Sequence, residues 1–174
     1  MSIKTASAPE QSLTALHTTI DRWVNEPASA PQAVSAGVNF ATDEGIEVRL
    51  PHPVYDLALQ DLAAGKGLGA ARIVSWRYLL TDGQVTISAE VSAPANNAPH
   101  QLALLNRGPF VNSFVSTVDS AEKDTGIAVG DYEIALISIP GLYVMALWLR
   151  APQTGKGAVI PLAPAPPELA AGRH

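Results

Sequence analysis

Between Val74 and Val91 apolar and polar residues alternate on either side of Asp82-Gly83, and a β-hairpin is the arrangement that satisfies this pattern best. Asp-Gly suits both central positions of a type I′ turn, whose twist matches that of the flanking strands. Pairing Thr81 with Gln84 sets a register in which Leu80 faces Val85, Tyr78 faces Ile87, Trp76 faces Ala89 and Val74 faces Val91. These four apolar pairs share one face. On the other, Leu79 meets Thr86, Arg77 meets Ser88 and Ser75 meets Glu90, with Arg77 diagonal to Glu90. A slip of one residue would move the apolar set into water, so the pattern predicts one face in the core and one solvated.

The stretch from Ile134 to Leu149 predicts a second strand pair, Tyr132 to Ile139 and Leu142 to Arg150. Ile137, Val144 and Trp148 fall on one face of it, and Ile134, Met145 and Leu147 on the other. A pair apolar on both faces belongs in the middle of a covered sheet. Pro140-Gly141 favours a type II turn, which fits a two-residue hairpin poorly, so a wider loop is the alternative. Shorter strands are predicted at 46–50, 101–105 and 158–162.

Three helices complete the pattern. The first begins near Ala8, with Ser7 as N-cap and Glu10 at capping-box spacing, and its apolar stripe is Leu13, Leu16, Ile20, Trp23 and Val24. A second is predicted from Pro53 to Ala64, burying Val54, Leu57, Ala58 and Leu62 and ending at Gly65. A third opens at Gly108-Pro109 and runs to about Ala121, with Phe110, Val111, Phe114, Val115 and Val118 toward the core. Strands joined mainly as hairpins imply an α+β fold: a mainly antiparallel sheet with helices packed on one face. The expected division is an N-terminal helix and Pro/Ala-rich linker over 1–36, one α+β domain over 37–162, and a disordered Pro/Ala-rich tail over 163–174.

Charge and composition narrow the function classes. Eleven basic against sixteen acidic residues give a net charge of −5, which argues against a general nucleic-acid binder. The absence of cysteine excludes a disulfide framework, a thiolate zinc site, an iron–sulfur cluster and a cysteine nucleophile. Residues 1–12 carry no apolar run, and the longest apolar stretch is broken by Ser138, Pro140 and Gly141, so neither a secretory signal nor a membrane span is expected and the cytoplasm is the default location.

No motif supplies a complete chemistry. His17, His52, His100 and His174 form no metal-ligand pair, and neither a metal nor a cofactor is expected. Gly65-Lys66-Gly67-Leu68-Gly69 lacks the spacing and the strand-before, helix-after context of a phosphate loop. His52 and Asp56, four apart at the start of the predicted second helix, could pair for acid–base work. The plainer reading makes His52 an exposed residue between two prolines. With Arg77, these are the first polar groups to consider for a pocket between sheet and helices. Trp23, Tyr143, Met145 and Trp148 are the candidate interface residues, because aromatics and Met are enriched at protein contacts. The resulting expectation is a non-catalytic interaction or assembly protein that binds a protein partner or a second copy of itself. A component of a larger particle docking by its ends is a variant. The alternative is a small-ligand binding domain or small hydrolase.

Overall fold

The computed structural model describes residues 3–30, 45–94, 98–128, 131–153 and 156–169. Its strands are β1 (Ile3–Thr5), β2 (Glu47–Asp56), β3 (Arg72–Thr81), β4 (Thr86–Ser92), β5 (Leu102–Asn106), β6 (Tyr132–Ile139), β7 (Val144–Ala151) and β8 (Lys156–Pro161). Its helices are α1 (Glu10–Asn25), α2 (Leu59–Ala63), α3 (Pro109–Lys123) and α4 (Thr125–Ala128). The eight strands form one sheet in the order β5-β4-β3-β2-β6-β7-β8, with β1 also on β6. The fold is α+β and antiparallel-rich, as the hairpin pattern implies. The sheet is nonetheless mixed, because both β1 and β2 run parallel to β6.

The parallel β2–β6 pair joins two antiparallel meanders that run away from each other, β2 to β5 on one side and β6 to β8 on the other. The strand alternation of β3 shows where the helices lie. Trp76, Tyr78 and Leu80 pack with Leu16, Ile20 and Trp23 of α1. Leu79, of opposite parity, packs with Val111, Phe114 and Val118 of α3. Residues of opposite parity point to opposite faces, so α1 and α3 lie on opposite sides of the sheet, not on one. On the α1 side, the half of the sheet around Tyr55, Ala135, Ile137 and Ala146 is covered instead by Leu57, Leu68, Ala70 and Ala71.

The β3–β4 hairpin forms, in a different register. Leu80 stands opposite Ile87, Tyr78 opposite Ala89 and Trp76 opposite Val91, which is two residues from the register of a two-residue turn. The Asp82 carboxylate accepts hydrogen bonds from the backbone N–H of Gln84 at 2.9 Å and of Val85 at 2.8 Å, and the Thr81 hydroxyl accepts from Gly83 N at 3.1 Å. These side-chain caps open the turn to four residues. A shift of two keeps the predicted division of side chains between the two faces, but the face expected to be solvated is buried, with Ser75, Arg77, Leu79 and Ser88 all inside the fold. The shift also sets Arg77 directly opposite Glu90. The β6–β7 pair has the predicted faces, and its strands join through a wider loop, a single turn over Pro140–Leu142.

The second predicted helix is mostly strand. β2 runs through Pro51-His52-Pro53 to Asp56, and only Leu59–Ala63 is helical. Proline disfavours the helical region for the residue before it, which holds both Leu50 and His52 extended or in a turn. Leu50 takes φ +46° in a bulge where Leu50 and Pro51 stand against Tyr78 alone.

The N-terminal helix is part of the core, not an appendage. Trp23 is 2% exposed, and the Tyr78 hydroxyl donates to the Ser12 hydroxyl at 2.8 Å. β1, which no sequence signal marked, adds a further tie between residues 1–36 and the sheet. Helix α1 begins at Glu10 after Pro9 without the predicted side-chain cap. Residues 31–44, which hold most of the predicted linker and the start of the predicted domain, lie outside the described residues, as do residues 170–174 of the tail. The tail starts tied to the domain: Leu162, the last predicted domain residue, is buried and its N–H donates to Met145 O at 2.9 Å, and Ala163 N donates to the Ser113 hydroxyl at 2.8 Å.

Truncating Trp23 to Ala should therefore cost about 3–5 kcal/mol of folding stability, the range for a buried large aromatic. Urea unfolding measures this, and a cost under about 1 kcal/mol would show α1 to be peripheral.

Candidate binding site

The three polar residues singled out from sequence share the α3 side of the sheet, but only one of them is open. His52 stands opposite Arg77 in the β2–β3 ladder and is fully buried. Its ring stacks on Phe114 of α3, with centroids 4.4 Å apart and planes 17° from parallel. Nδ1–H donates to Leu50 O at 2.6 Å, which leaves Nε2 as a buried acceptor without a partner. Burial pushes the imidazole down to about pKa 3, and the neighbouring Arg77 charge adds to the shift against the Leu50 bond. His52 is thus a neutral aromatic in the core, not an exposed cap residue.

Arg77 is closed off as well. Its Nε donates to Glu90 Oε1 at 2.9 Å, and Nη2 bonds the same oxygen. Ser75 donates to the other carboxylate oxygen at 2.8 Å. Ser75 and Arg77 are buried and Glu90 nearly so, which makes this a satisfied ion pair inside the fold, consistent with the rule that buried charges are paired.

Asp56 lies where chemistry remains accessible. β2 and β6 run parallel and end side by side, with Asp56 opposite Ser138. Beyond these residues the chain leaves in different directions. In open sheets with parallel strands, the crevice outside the carboxyl ends at such a switch in strand order is where ligands bind. The Ser138 side chain stands near enough to the Asp56 carboxylate to favour its charged form. Burial and, secondarily, the Glu90 charge hold that carboxyl above its usual range, against the effect of Ser138.

Two recesses flank Pro140 at this end. One, of about 570 Å³, is lined by Phe110, Ser138, Leu142, Val144, Met145 and the tail residues Pro164–Pro166. The other, of about 440 Å³, is lined by Asp56, Leu59, Asp61, Arg72, Val74 and Gly141 among others. Gly141 lets α2 approach, since a Cβ there would come within 3.2 Å of Leu59 Cβ. Tyr143 stands on the rim, 89% exposed and left-handed at φ +52°. Of the eight large apolar residues exposed among the described residues, six come from the segments that meet here: Leu59, Leu62, Ile73, Val74, Leu142 and Tyr143.

The candidate interface residues divide accordingly. Trp23 is buried against its own sheet. Trp148 is half-buried on the α1 side, edge-on to Tyr55 with centroids 5.1 Å apart, and the Arg150 guanidinium lies 5.0 Å from both rings. The indole packs over Gly157, where a Cβ would lie 2.5 Å from Leu149 O. Met145 lines the larger recess and Tyr143 guards it. Ser138, Phe110, Leu142 and Leu59 were not anticipated. Reading 53–64 as a helix hid the pairing of Asp56 with Ser138 that would have drawn attention to them. Among the described residues no three metal-ligating side chains cluster, and no helix is long and apolar enough to cross a membrane.

Two measurements check this account. His52 is neutral when folded but takes up its proton near pH 6.5 when unfolded, so stability should fall as pH drops from 6.5 toward 3, by up to about 1.4 kcal/mol per unit. Between pH 7 and pH 4.5, wild type should lose roughly 2–3 kcal/mol more than His52→Phe in urea unfolding; equal losses would refute the buried neutral ring. Arg77→Met, which strands Glu90, should cost about 3 kcal/mol, and adding Glu90→Leu should recover more than half of that. A double variant no better than the single one would show that the pair is not an isolated unit. No family model, curated protein or solved structure matches this chain.

Proposed function

We propose that this chain is a non-catalytic protein-interaction domain that takes an apolar side chain of its partner into the recess beside Tyr143. The observation that carries the reading is the apolar recess of about 570 Å³ lined by exposed Leu142 and Tyr143, with exposed Leu59 and Val74 lining the second recess across Pro140. A concentration of exposed apolar surface marks a contact site in a soluble domain, whereas isolated apolar residues do not. An exposed tyrosine at a recess rim is a common energetic anchor of an interface. The net charge of −5 favours a protein partner over nucleic acid.

The hydrolase alternative loses its chemistry, since His52 and Arg77 are enclosed and engaged with the fold. What remains of it is a small apolar ligand in the same recess, whose volume lies within the usual range of about 300–1,000 Å³. Self-association is one form of the proposed contact. It would run through the Tyr143 end, because both faces of the β6–β7 pair are covered within the chain.

Photo-crosslinking from position 143 tests the proposal, with Gln84 at the β3–β4 turn as the matched exposed control. Position 143 should give one discrete adduct that Gln84 does not. Rebinding of the identified partner, or light scattering if the partner is a second copy, should then weaken at least tenfold with Tyr143→Ala, about 1.4 kcal/mol. Unchanged affinity in that variant would reject the site.

A further inference from the structure

Resting on the interaction reading above, we infer that the partner segment received at this end carries a basic side chain beside its apolar one, and that the Asp56 carboxylate receives the basic group. Glu10, Asp21, Glu26, Asp119 and Glu122 are exposed to water and need no cation, whereas the partly buried Glu90 is matched with Arg77 and the partly buried Asp61 with Lys66 at 2.7 Å. Asp56 forms no ion pair among the described residues. Arg72 stands opposite it in the β2–β3 ladder and lines the same recess, yet makes no such pair.

The placement joins the two recesses into one site. Asp56 lines the smaller, Ser138 lines the larger, and the two residues stand opposite each other in the β2–β6 ladder. A cation on Asp56 would therefore sit one strand away from an apolar group beside Met145 and Val144, a separation that neighbouring residues of one segment can span. The Asp56 carboxylate is half-buried, with Glu90 near enough to oppose its ionisation. A partner's ammonium or guanidinium would give Asp56 the ion pair that Arg72 does not make. Truncating an acid in such a pair changes affinity more than truncating a rim charge.

The test titrates the full chain, observed by amide NMR, with the capped dipeptides acetyl-Phe-Lys-amide and acetyl-Phe-Gln-amide, and with hexylamine as a free amine. Both dipeptides should shift the amides of Ser138, Val144 and Met145. The lysine dipeptide should bind at least about fivefold tighter, a preference that shrinks as salt is raised and vanishes in Asp56→Asn. The salt series in wild type keeps the test intact should the variant fold poorly. Equal affinity of the two dipeptides in wild type overturns the role of Asp56 and leaves the apolar recess standing. Hexylamine binding as tightly as the lysine dipeptide assigns the site to a small amine and overturns the partner segment. If neither dipeptide moves those three amides, the recess itself is not a binding site and both readings fall.

Discussion

Three residue pairs, Val54 with Leu136, Tyr55 with Ile137 and Asp56 with Ser138, make the parallel contact on which the architecture turns. Each strand in this contact is the first of an antiparallel meander. Because β2 and β6 occupy each other's inner edge, each meander adds strands only on its outer edge and the two extend in opposite directions. A helix preceding each meander then reaches it from the opposite face, so α1 covers the β3–β4 half on one side while α3 covers the β6–β7 half on the other. Helix α1 leaves the neighbouring half of its face bare, and the chain from Leu57 to Ala71 fills that gap. Helix α3 reaches across to Leu79 of β3 and His52 of β2, and beside it on that face lies the polar Ser75–Glu90–Arg77 network.

That polar network has a definite energetic character. A guanidinium and a carboxylate removed from water together return little net stability, while removing either one alone is costly. The network therefore fixes register more than it adds stability. It ties Arg77 to Glu90 directly across β3 and β4, and this pairing excludes the two-residue turn in which the same residues would sit diagonally. His52 completes the layer as an aromatic ring. Its one satisfied nitrogen is directed back to Leu50 O at the bulge, so the buried ring also holds in place the irregularity that carries β2 past its prolines.

Much of this was legible in the residues. The alternation around Asp82-Gly83 and the doubly apolar run after Ile134 divided four strands correctly between two faces, because side-chain alternation is a direct consequence of sheet geometry, but the alternation did not reveal that the polar face of the hairpin is covered as well. The third helix followed from Gly108-Pro109 and its apolar spacing. What escaped depends on distant partners. Pro53 looks like a helix start in isolation, and it is the ladder with Trp76 and the bulge at Leu50 that make it part of a strand. The sidedness of the helices could not be read because it follows from the parallel β2–β6 contact, which joins residues some eighty positions apart. The candidate site inherits that blindness: Asp56 was noted for its neighbour His52, while the partner that matters is Ser138.

The turn at Pro140-Gly141 shows how the same end comes to present an apolar surface. Proline starts a single tight turn, the missing Cβ of Gly141 admits Leu59, and the chain re-enters β7 through Tyr143 at φ +52°. Asparagine or glycine would hold that conformation more cheaply than tyrosine does. The aromatic side chain gains nothing from the fold in return, since it is 89% exposed. An unfavourable backbone conformation and an unfavourable exposure at one position are both accounted for if the side chain does its work on another molecule. The recess that Phe110 and Met145 line beside it is where that molecule would dock.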